Sequence, residues 1–93
     1  MFFMAVNQLK RDADSNTVGK IIPPHIEWVE NLIDDGVIVQ AGKWGERSGM
    51  VVVRAADSEQ AHSIIQKDPL VASGQFDIEI AQFFPNVSIA KYE

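Results

Sequence analysis

Two short apolar segments, joined by a glycine-flanked connection, strongly limit the possible folds of this chain. Residues 37–44 and 50–55 are rich in β-branched and other apolar residues, which favour strands. The connection between them, residues 45–49, begins and ends with glycine and is short enough for a hairpin loop. The two segments therefore predict an antiparallel β-hairpin in the middle of the chain.

One further strand is predicted towards each end of the chain. The segment from Phe2 to Leu9 is rich in aromatic and apolar residues and stops at a polar loop. Residues 75–83 alternate between apolar and polar side chains, which is the period of a strand with one buried face. The chain therefore carries four predicted strands, and the hairpin supplies the middle two.

The first predicted helix begins at the pair Pro23-Pro24 and runs to about Asp35. Proline is tolerated in a first helical turn, where its missing N–H would have no partner in any case. Gly36 is a favourable residue just past a helix end. The apolar residues that recur at helical spacing are expected to form the buried stripe of this helix: Ile26, Val29 and Ile33.

A second helix is predicted from Asp57 or Ser58 to Asp68, and Pro69 is expected to stop it. With both helices in place, the element order is βαββαβ. Right-handed split crossovers of that order give a four-stranded antiparallel sheet with both helices on one face. We therefore expect an α+β protein with the ferredoxin-like arrangement.

The chain is expected to form a single domain over residues 1–93, with residues 85–93 as a C-terminal tail. The two hairpin strands supply apolar groups to both faces of the sheet. The helices cover one face, so the other would be an apolar patch in water. We expect that face to pack on the same face of a second copy, as a C2 homodimer or a higher homo-oligomer.

Charge and cysteine content argue against several classes of partner and site. The net charge is -5 and the 8 Lys and Arg residues are scattered, which argues against nucleic acid or an anionic membrane as a partner. The chain has no cysteine, so it has no disulfide framework and no thiolate nucleophile. No histidines have close metal-ligand spacing, and no metal site is expected. The apolar start, residues 1–6, is too short for a signal peptide or membrane helix, so a soluble cytoplasmic protein is expected.

Two polar residues stand out against the helix patterns. Asp68 falls on the apolar stripe of the second helix, at the helix end where the backbone dipole disfavours negative charge. His25, one of 2 histidines, follows the two prolines in the first turn of the first helix. Each has an ordinary explanation, because buried polar residues are usually hydrogen-bonded locally. Together they indicate either a buried polar pair or a functional site.

Four short motifs, taken in order, resemble the YciI-like (YCII-related) family over residues 1–84. These motifs are Pro23-Pro24-His25, Ala41-Gly42, Asp68-Pro69-Leu70 and Gly74-Gln75-Phe76. The resemblance implies the ferredoxin-like fold of the dimeric α+β barrel superfamily, with sheet packed against sheet. It also implies an enzyme with a His–Asp dyad in a cleft, which by motif falls on His25 and Asp68.

The chain departs from that family pattern in two places. Family members often carry arginine three residues before the histidine, where this chain has Ile22, and Leu70 stands where the family has phenylalanine. A substrate carboxylate held by that arginine would not be held in the same way here. Shorter matches, at Gly42-Lys43-Trp44 and at residues 76–80, resemble muconolactone isomerase, a related branch of the same superfamily.

Proton transfer is the chemistry that a site built from His25 and Asp68 favours. A neutral imidazole can act as a general base near pH 7, and a carboxylate on its other nitrogen fixes the tautomer. We therefore assign His25 as the base and Asp68 as the residue that orients it. The expected protein is a cofactor-free isomerase, lyase or hydrolase that acts on a small organic molecule. Trp28 and Trp44 are expected to form apolar walls of the site, and Ser48 to contact the ligand.

Two alternatives to an enzyme remain open at this stage. The first is a non-catalytic small-molecule-binding or regulatory domain, since a fold does not fix a function. The second is an interaction module whose sheet face only builds oligomers. A contact between His25 and Asp68 that opens into a cleft favours the enzyme. A pocket without that pair favours the binding domain, and a filled sheet face without a cavity favours the module.

Overall fold

The computed structural model describes residues 1–85, in which helices lie on one side of a single sheet. The strands are β1 (Phe2–Leu9), β2 (Ile38–Trp44), β3 (Ser48–Arg54) and β4 (Phe76–Phe83). The helices are α1 (Ser15–Asp34), α2 (Ser58–Ile65) and the short α3 (Pro69–Ala72). This order confirms the predicted ferredoxin-like α+β fold, with one added helical turn before β4. All of the predicted tail except its first residue lies outside the described residues.

The strands are antiparallel and lie in the order β2-β3-β1-β4. In the middle of the sheet, Ala5 of β1 lies opposite Val51 of β3 and Ile80 of β4. Opposed residues share a face, and these three belong to the face that packs against the helices. The turn between β2 and β3 contains Gly45 at φ 69°, a left-handed conformation that glycine adopts without strain. The predicted hairpin is confirmed, with a shorter connection because β3 already begins at Ser48.

The hydrophobic core lies between the sheet and the helices, and α1 contributes to it only partly. The buried core residues are Phe3, Ala5, Ile38, Val51, Val53, Ala55, Ala61 and Ile65. From α1, only half-buried side chains pack against this cluster, among them Trp28 and Leu32, and none of its residues is fully buried. Part of the inner side of α1 is therefore free to border a cavity.

The start of α1 differs from the prediction, because the helix begins at Ser15 and not at Pro23-Pro24. Asp14 caps it: its carboxylate accepts hydrogen bonds from the Thr17 N–H at 3.2 Å and from the Thr17 hydroxyl at 2.5 Å. The hydroxyl bond and the backbone bond hold the pKa of Asp14 below its ordinary value. The Asp14 cap starts the helix well before the prolines. The stability of this capped start outweighs the preference of Pro23 and Pro24 for a first helical turn.

The buried stripe predicted for α1 is only partly correct. Val29 packs against the core, but Ile26 and Ile33 are 48% and 46% exposed. The core-facing edge is the neighbouring one, which carries Trp28 and Leu32. The helix is rotated so that Trp28 packs against the core, while Ile26 and Ile33 stay about half exposed.

Of the four predicted helix boundaries, two are confirmed, while the end of the second helix, like the start of α1, is wrong. Gly36 follows the end of α1 with φ 77°, the conformation expected just past a helix end. Asp57 caps α2, since its carboxylate accepts a hydrogen bond from the Gln60 N–H at 2.8 Å. The second helix is shorter than predicted, because α2 stops at Ile65 and α3 follows as a separate turn.

The sheet face turned away from the helices, called here the open face, carries a row of apolar side chains. By register these are Phe2, Met4, Val6, Met50 and Val52. Asp77 and Glu79 lie on this face along β4, as the predicted alternation requires. No helix among residues 1–85 covers the open face. It is the surface that the predicted second copy would cover, and the dimer stays a prediction at this point.

Candidate active site

His25 lies in the middle of α1, directly after the two prolines. Proline has no N–H, so the carbonyls of Gly19 and Lys20 receive no hydrogen bond from the next turn of the helix. The placement corrects the expectation that His25 lies in a first helical turn.

Asp68 lies between the two short helices, and its position also differs from the prediction. It is the N-cap of α3 and not the last residue of α2. Its Oδ1 accepts a hydrogen bond from the Leu70 N–H at 2.9 Å, and Pro69 occupies the first helical position. A carboxylate at a helix start is favourable, whereas the predicted helix end would have opposed it. The local role expected of an aspartate before proline is therefore present, but it is not the whole role of Asp68.

The fold brings His25 and Asp68 into direct contact. Nδ1 of His25 lies 2.7 Å from Oδ1 of Asp68, and the side chains are 17% and 4% exposed. An ionised carboxylate has no hydrogen to give, so the hydrogen in this bond belongs to Nδ1. A neutral His25 then carries a free lone pair on Nε2. The predicted contact is present, and it ties α1 to the start of α3.

Trp28 supports the imidazole from one turn further along α1. The two rings are stacked, with centroids 6.3 Å apart and planes inclined by 25°. Trp28 also packs against the hydrophobic core. The indole therefore fixes one side of the His25 ring to the body of the protein, and the carboxylate of Asp68 fixes its Nδ1 edge.

A cavity of about 620 Å³ lies between α1 and the sheet, next to the turn of the hairpin. Sites for small organic ligands commonly have volumes of about 300–1,000 Å³. His25 lines this cavity, whereas Asp68 does not. The walls are largely apolar and include Val18, Ile22, Ile26, Val29, Leu70 and Phe76. Of the His25–Asp68 pair, it is therefore the imidazole that a ligand in the cavity would contact.

The other predicted ligand contacts occupy different places. Ser48 lines the cavity, at the start of β3. Trp44 lies opposite Ser48 in the hairpin, is 68% exposed, and does not line the cavity. Trp28 does not line it either and contacts His25 instead. The roles predicted for these three residues in ligand binding stay predictions.

One buried polar residue was not predicted as part of the site. Asn7 is 9% exposed and lines the cavity from β1. The sequence contained a signal for it, since Asn7 follows Phe3 and Ala5 at the inward positions of an apolar strand. A carboxamide at such a position is as unusual as Asp68 on the stripe of a helix.

Residues 1–85 contain neither a cluster of metal-binding side chains nor a membrane-spanning helix. This part of the chain holds no group of three or more His, Cys, Asp or Glu residues arranged to bind a metal ion. None of its helices has both the length and the apolar character needed to cross a membrane.

A family model of the YCII-related domain matches residues 1–84, which is nearly the whole chain. The chain belongs to this family. The YCII-related domain therefore accounts for the full sheet and all three helices. No curated protein matches the chain.

Solved structures of other proteins share the fold of this YCII-related domain. One is 5-chloro-2-hydroxyhydroquinone dehydrochlorinase (TftG) from Burkholderia phenoliruptrix AC1100, in complex with 2,5-dihydroxybenzoquinone. It has a TM-score of 0.70 and 16% identity, over 90% of this chain and 94% of that chain. Muconolactone isomerase has a TM-score of 0.72 and 20% identity, over 94% of each chain. An antibiotic biosynthesis monooxygenase has a TM-score of 0.54 and 7% identity, over 90% and 97% of the two chains. At these identities the likeness is one of fold.

Proposed function

We propose that this YCII-related domain is a cofactor-free enzyme that moves a proton on a small organic molecule. His25 is the general base and takes the proton at Nε2, while Asp68 accepts from Nδ1–H and stabilises the imidazolium that forms. The observation that carries the proposal is the 2.7 Å contact between Nδ1 and the buried carboxylate, at the wall of a cavity of about 620 Å³.

The arrangement suits a base better than a nucleophile. Asp68 is nearly fully buried and has the Leu70 N–H as a second partner, so its orientation is fixed before any ligand arrives. The chain has no cysteine, and within residues 1–85 the Ser48 hydroxyl has no histidine as a hydrogen-bond partner. Covalent acyl transfer would need such an activated nucleophile.

The names of two structural neighbours, TftG and muconolactone isomerase, support the reaction class. They describe a dehydrochlorination and an isomerisation. Either reaction can proceed by removal of a proton from carbon, followed by loss of a leaving group or return of the proton elsewhere. Isomerisation or elimination on a small ring compound is therefore the class that we propose for this chain.

The experiment is an assay of the purified protein with muconolactone and with 5-chloro-2-hydroxyhydroquinone, followed by ultraviolet absorbance and chloride release. We expect turnover of at least one compound above the buffer rate, and its loss in the variant His25→Asn. Equal rates for the wild type and the variant would contradict the proposal. Binding of either compound without turnover would favour the non-catalytic binding domain.

Three further residues keep proposed roles at the ligand site. Ser48 lines the cavity and Trp28 holds the imidazole from its stacked side. Trp44 lies on the open face, so its role as a wall depends on the assembly of two copies.

We further propose that the open face pairs with the same face of a second copy, as a homodimer. The apolar row on this face gives a reason for burial, since a contiguous apolar surface is unfavourable in water. Asp77 and Glu79 lie along one edge of the face, where they would line the rim of the interface and not its dry centre.

Sedimentation velocity tests the proposed dimer with one pair of variants. Met4 lies at the centre of the open face, between Val52 and Ala81, so Met4→Lys places a charge in the interface and is expected to yield monomers. Ile33→Lys is the matched control, because Ile33 is 46% exposed on α1 and the same change there should leave a dimer. A wild-type monomer, or a Met4→Lys variant of unchanged mass, would contradict the dimer.

A further inference from the structure

Asn7 is a carboxamide at an inward position of β1, a strand whose other inward positions, Phe3 and Ala5, are apolar. It lies on the helix-facing side of β1, where Gly49 of β3 and Ile78 of β4 are its neighbours in register. It is 9% exposed, and the other inward residues of the strand include the core residues Phe3 and Ala5. A polar group buried in this way is unfavourable unless a partner compensates for the lost water.

No partner for the Asn7 amide is present among residues 1–85. No side chain or backbone group in that range forms a hydrogen bond with it. Yet in the described part of the chain every side-chain nitrogen or oxygen that is fully enclosed has a hydrogen-bond partner. The amide atoms of Asn7 must therefore reach open space, and the space that Asn7 lines is the cavity that His25 also lines.

Gly49 leaves the room that this amide occupies. A Cβ at Gly49 would lie 3.2 Å from Nδ2 and 3.3 Å from Oδ1 of Asn7, which is closer than an ordinary van der Waals contact. Gly49 does not have a positive φ, so its backbone does not require glycine. Glycine is needed at position 49 because the Asn7 side chain occupies the space that a Cβ would fill.

We infer that Asn7 donates a hydrogen bond to the substrate oxygen on which negative charge develops when His25 removes a proton. This inference rests on the proposed function and names its substrate class: a small cyclic carbonyl compound with an acidic C–H next to the carbonyl. Asparagine side chains serve as such donors in other sites, where the loss of one donor costs about 10²–10³-fold in rate. The apolar walls of the cavity suit the ring of this class.

The proton-transfer step balances without any co-reactant. Nε2 of His25 takes the proton from the α-carbon, and the C–H electron pair forms a carbon–carbon double bond. The carbonyl π electrons move to oxygen, which becomes an enolate oxygen that accepts from Nδ2–H of Asn7. The imidazolium returns its proton to the same carbon or to another carbon of the conjugated system, which regenerates the base and yields an exchanged or isomerised product.

The probe for binding is 2-indanone, which has a flat ring system, one carbonyl oxygen and acidic α-protons. Titration followed by ¹⁵N–¹H NMR of the full-length protein gives its affinity and reports on the Asn7 amide. We expect Asn7→Leu to weaken binding about tenfold, the size of one buried hydrogen bond. His25→Asn should bind more tightly than Asn7→Leu, because it leaves the Asn7 amide in place to donate to the carbonyl oxygen. Equal binding by Asn7→Leu and the wild type, or no binding by the wild type, would overturn the inference.

Solvent-deuterium exchange at the α-carbon of 2-indanone separates the inference from the proposed function. We expect Asn7→Leu and His25→Asn both to lose exchange above the buffer rate, and Gly49→Ala to lose part of it by pressing on the Asn7 amide. Loss in His25→Asn with full exchange in Asn7→Leu would overturn the role of Asn7 alone. Full exchange in His25→Asn, with weakened binding in Asn7→Leu, would overturn the base and leave Asn7 as a ligand-binding residue.

Thermal unfolding distinguishes a ligand contact from a structural role for Asn7. Leucine has nearly the shape of asparagine, and the Asn7 amide forms no hydrogen bond within residues 1–85, so Asn7→Leu should melt at the same temperature as the wild type or higher. A lower melting temperature would mean that the amide stabilises the fold, and it would count against the inference.

Discussion

Replacing His25 with asparagine is expected to lower the rate of deuterium exchange into 2-indanone by about 10²–10⁴-fold, the usual contribution of a general base. Asparagine carries its amide nitrogen at the position of Nδ1, so it can still donate to Asp68, and it has no atom at the position of Nε2. The variant therefore removes the base and keeps the structural contact. Proton NMR of 2-indanone in D₂O at equal protein concentrations gives the rates.

The second histidine supplies the matched control for this prediction. His62 is exposed on α2 and its Nδ1 lies 2.8 Å from the Ser58 carbonyl oxygen, away from the cavity lining. The same change there, His62→Asn, should leave the exchange rate as it is. An exchange rate for His25→Asn within about threefold of the wild type would remove His25 from the mechanism.

Replacing Asp68 with alanine is expected to lower the free energy of unfolding by about 2–4 kcal/mol, the sum of a helix cap and a hydrogen bond to a charged group. Oδ1 of Asp68 accepts from both Leu70 N–H and His25 Nδ1, so alanine leaves two donors without their partner in a buried place. Urea denaturation followed by circular dichroism measures the change. A domain of this size has about 5–15 kcal/mol of stability in total, so the effect is large.

An exposed helix cap provides the comparison for Asp68→Ala. Asp57 caps α2 through the Gln60 N–H alone, so Asp57→Ala should cost only about 1 kcal/mol. The difference between the two variants measures the contact between His25 and Asp68, and a double-mutant cycle with His25→Ala isolates it. If Asp68→Ala costs no more than Asp57→Ala, the contact contributes nothing to stability.

The sheet could be predicted from the sequence because its signals are local. Alternation along residues 76–83 and the glycine at the hairpin turn each act within a few residues. Chirality rules then leave few topologies for the order βαββαβ. The strand order β2-β3-β1-β4 follows from those rules and the hairpin.

Two of the helix boundaries were harder to predict, because two signals competed at each. Pro23-Pro24 is typical of a helix start, yet the cap formed by Asp14 and Thr17 lies upstream, and the helix runs through the prolines. At Asp68, the apolar spacing of α2 extended the predicted helix past its real end. The α3 turn of residues 69–72 is too short to have a period of its own.

Only the candidate-site residues that lie in the family motifs, His25 and Asp68, could be paired from the sequence. His25 and Asp68 are 43 positions apart, and no local pattern specifies that their side chains meet. The motifs of the family supplied the pairing, and the structure supplies its geometry. Asn7 belonged to no motif, and only the position of its amide, on an inward-facing site of β1 at the cavity, points to a role.

Nitrogen-15 NMR of the His25 imidazole is the most direct test of whether Asp68 holds Nδ1–H and leaves Nε2 as a base. A His62→Asn background leaves a single histidine to observe. The neutral ring should carry its hydrogen on Nδ1 and a lone pair on Nε2, and Asp68→Asn should weaken that preference. A neutral ring with its hydrogen on Nε2, unchanged by Asp68→Asn, would contradict the account.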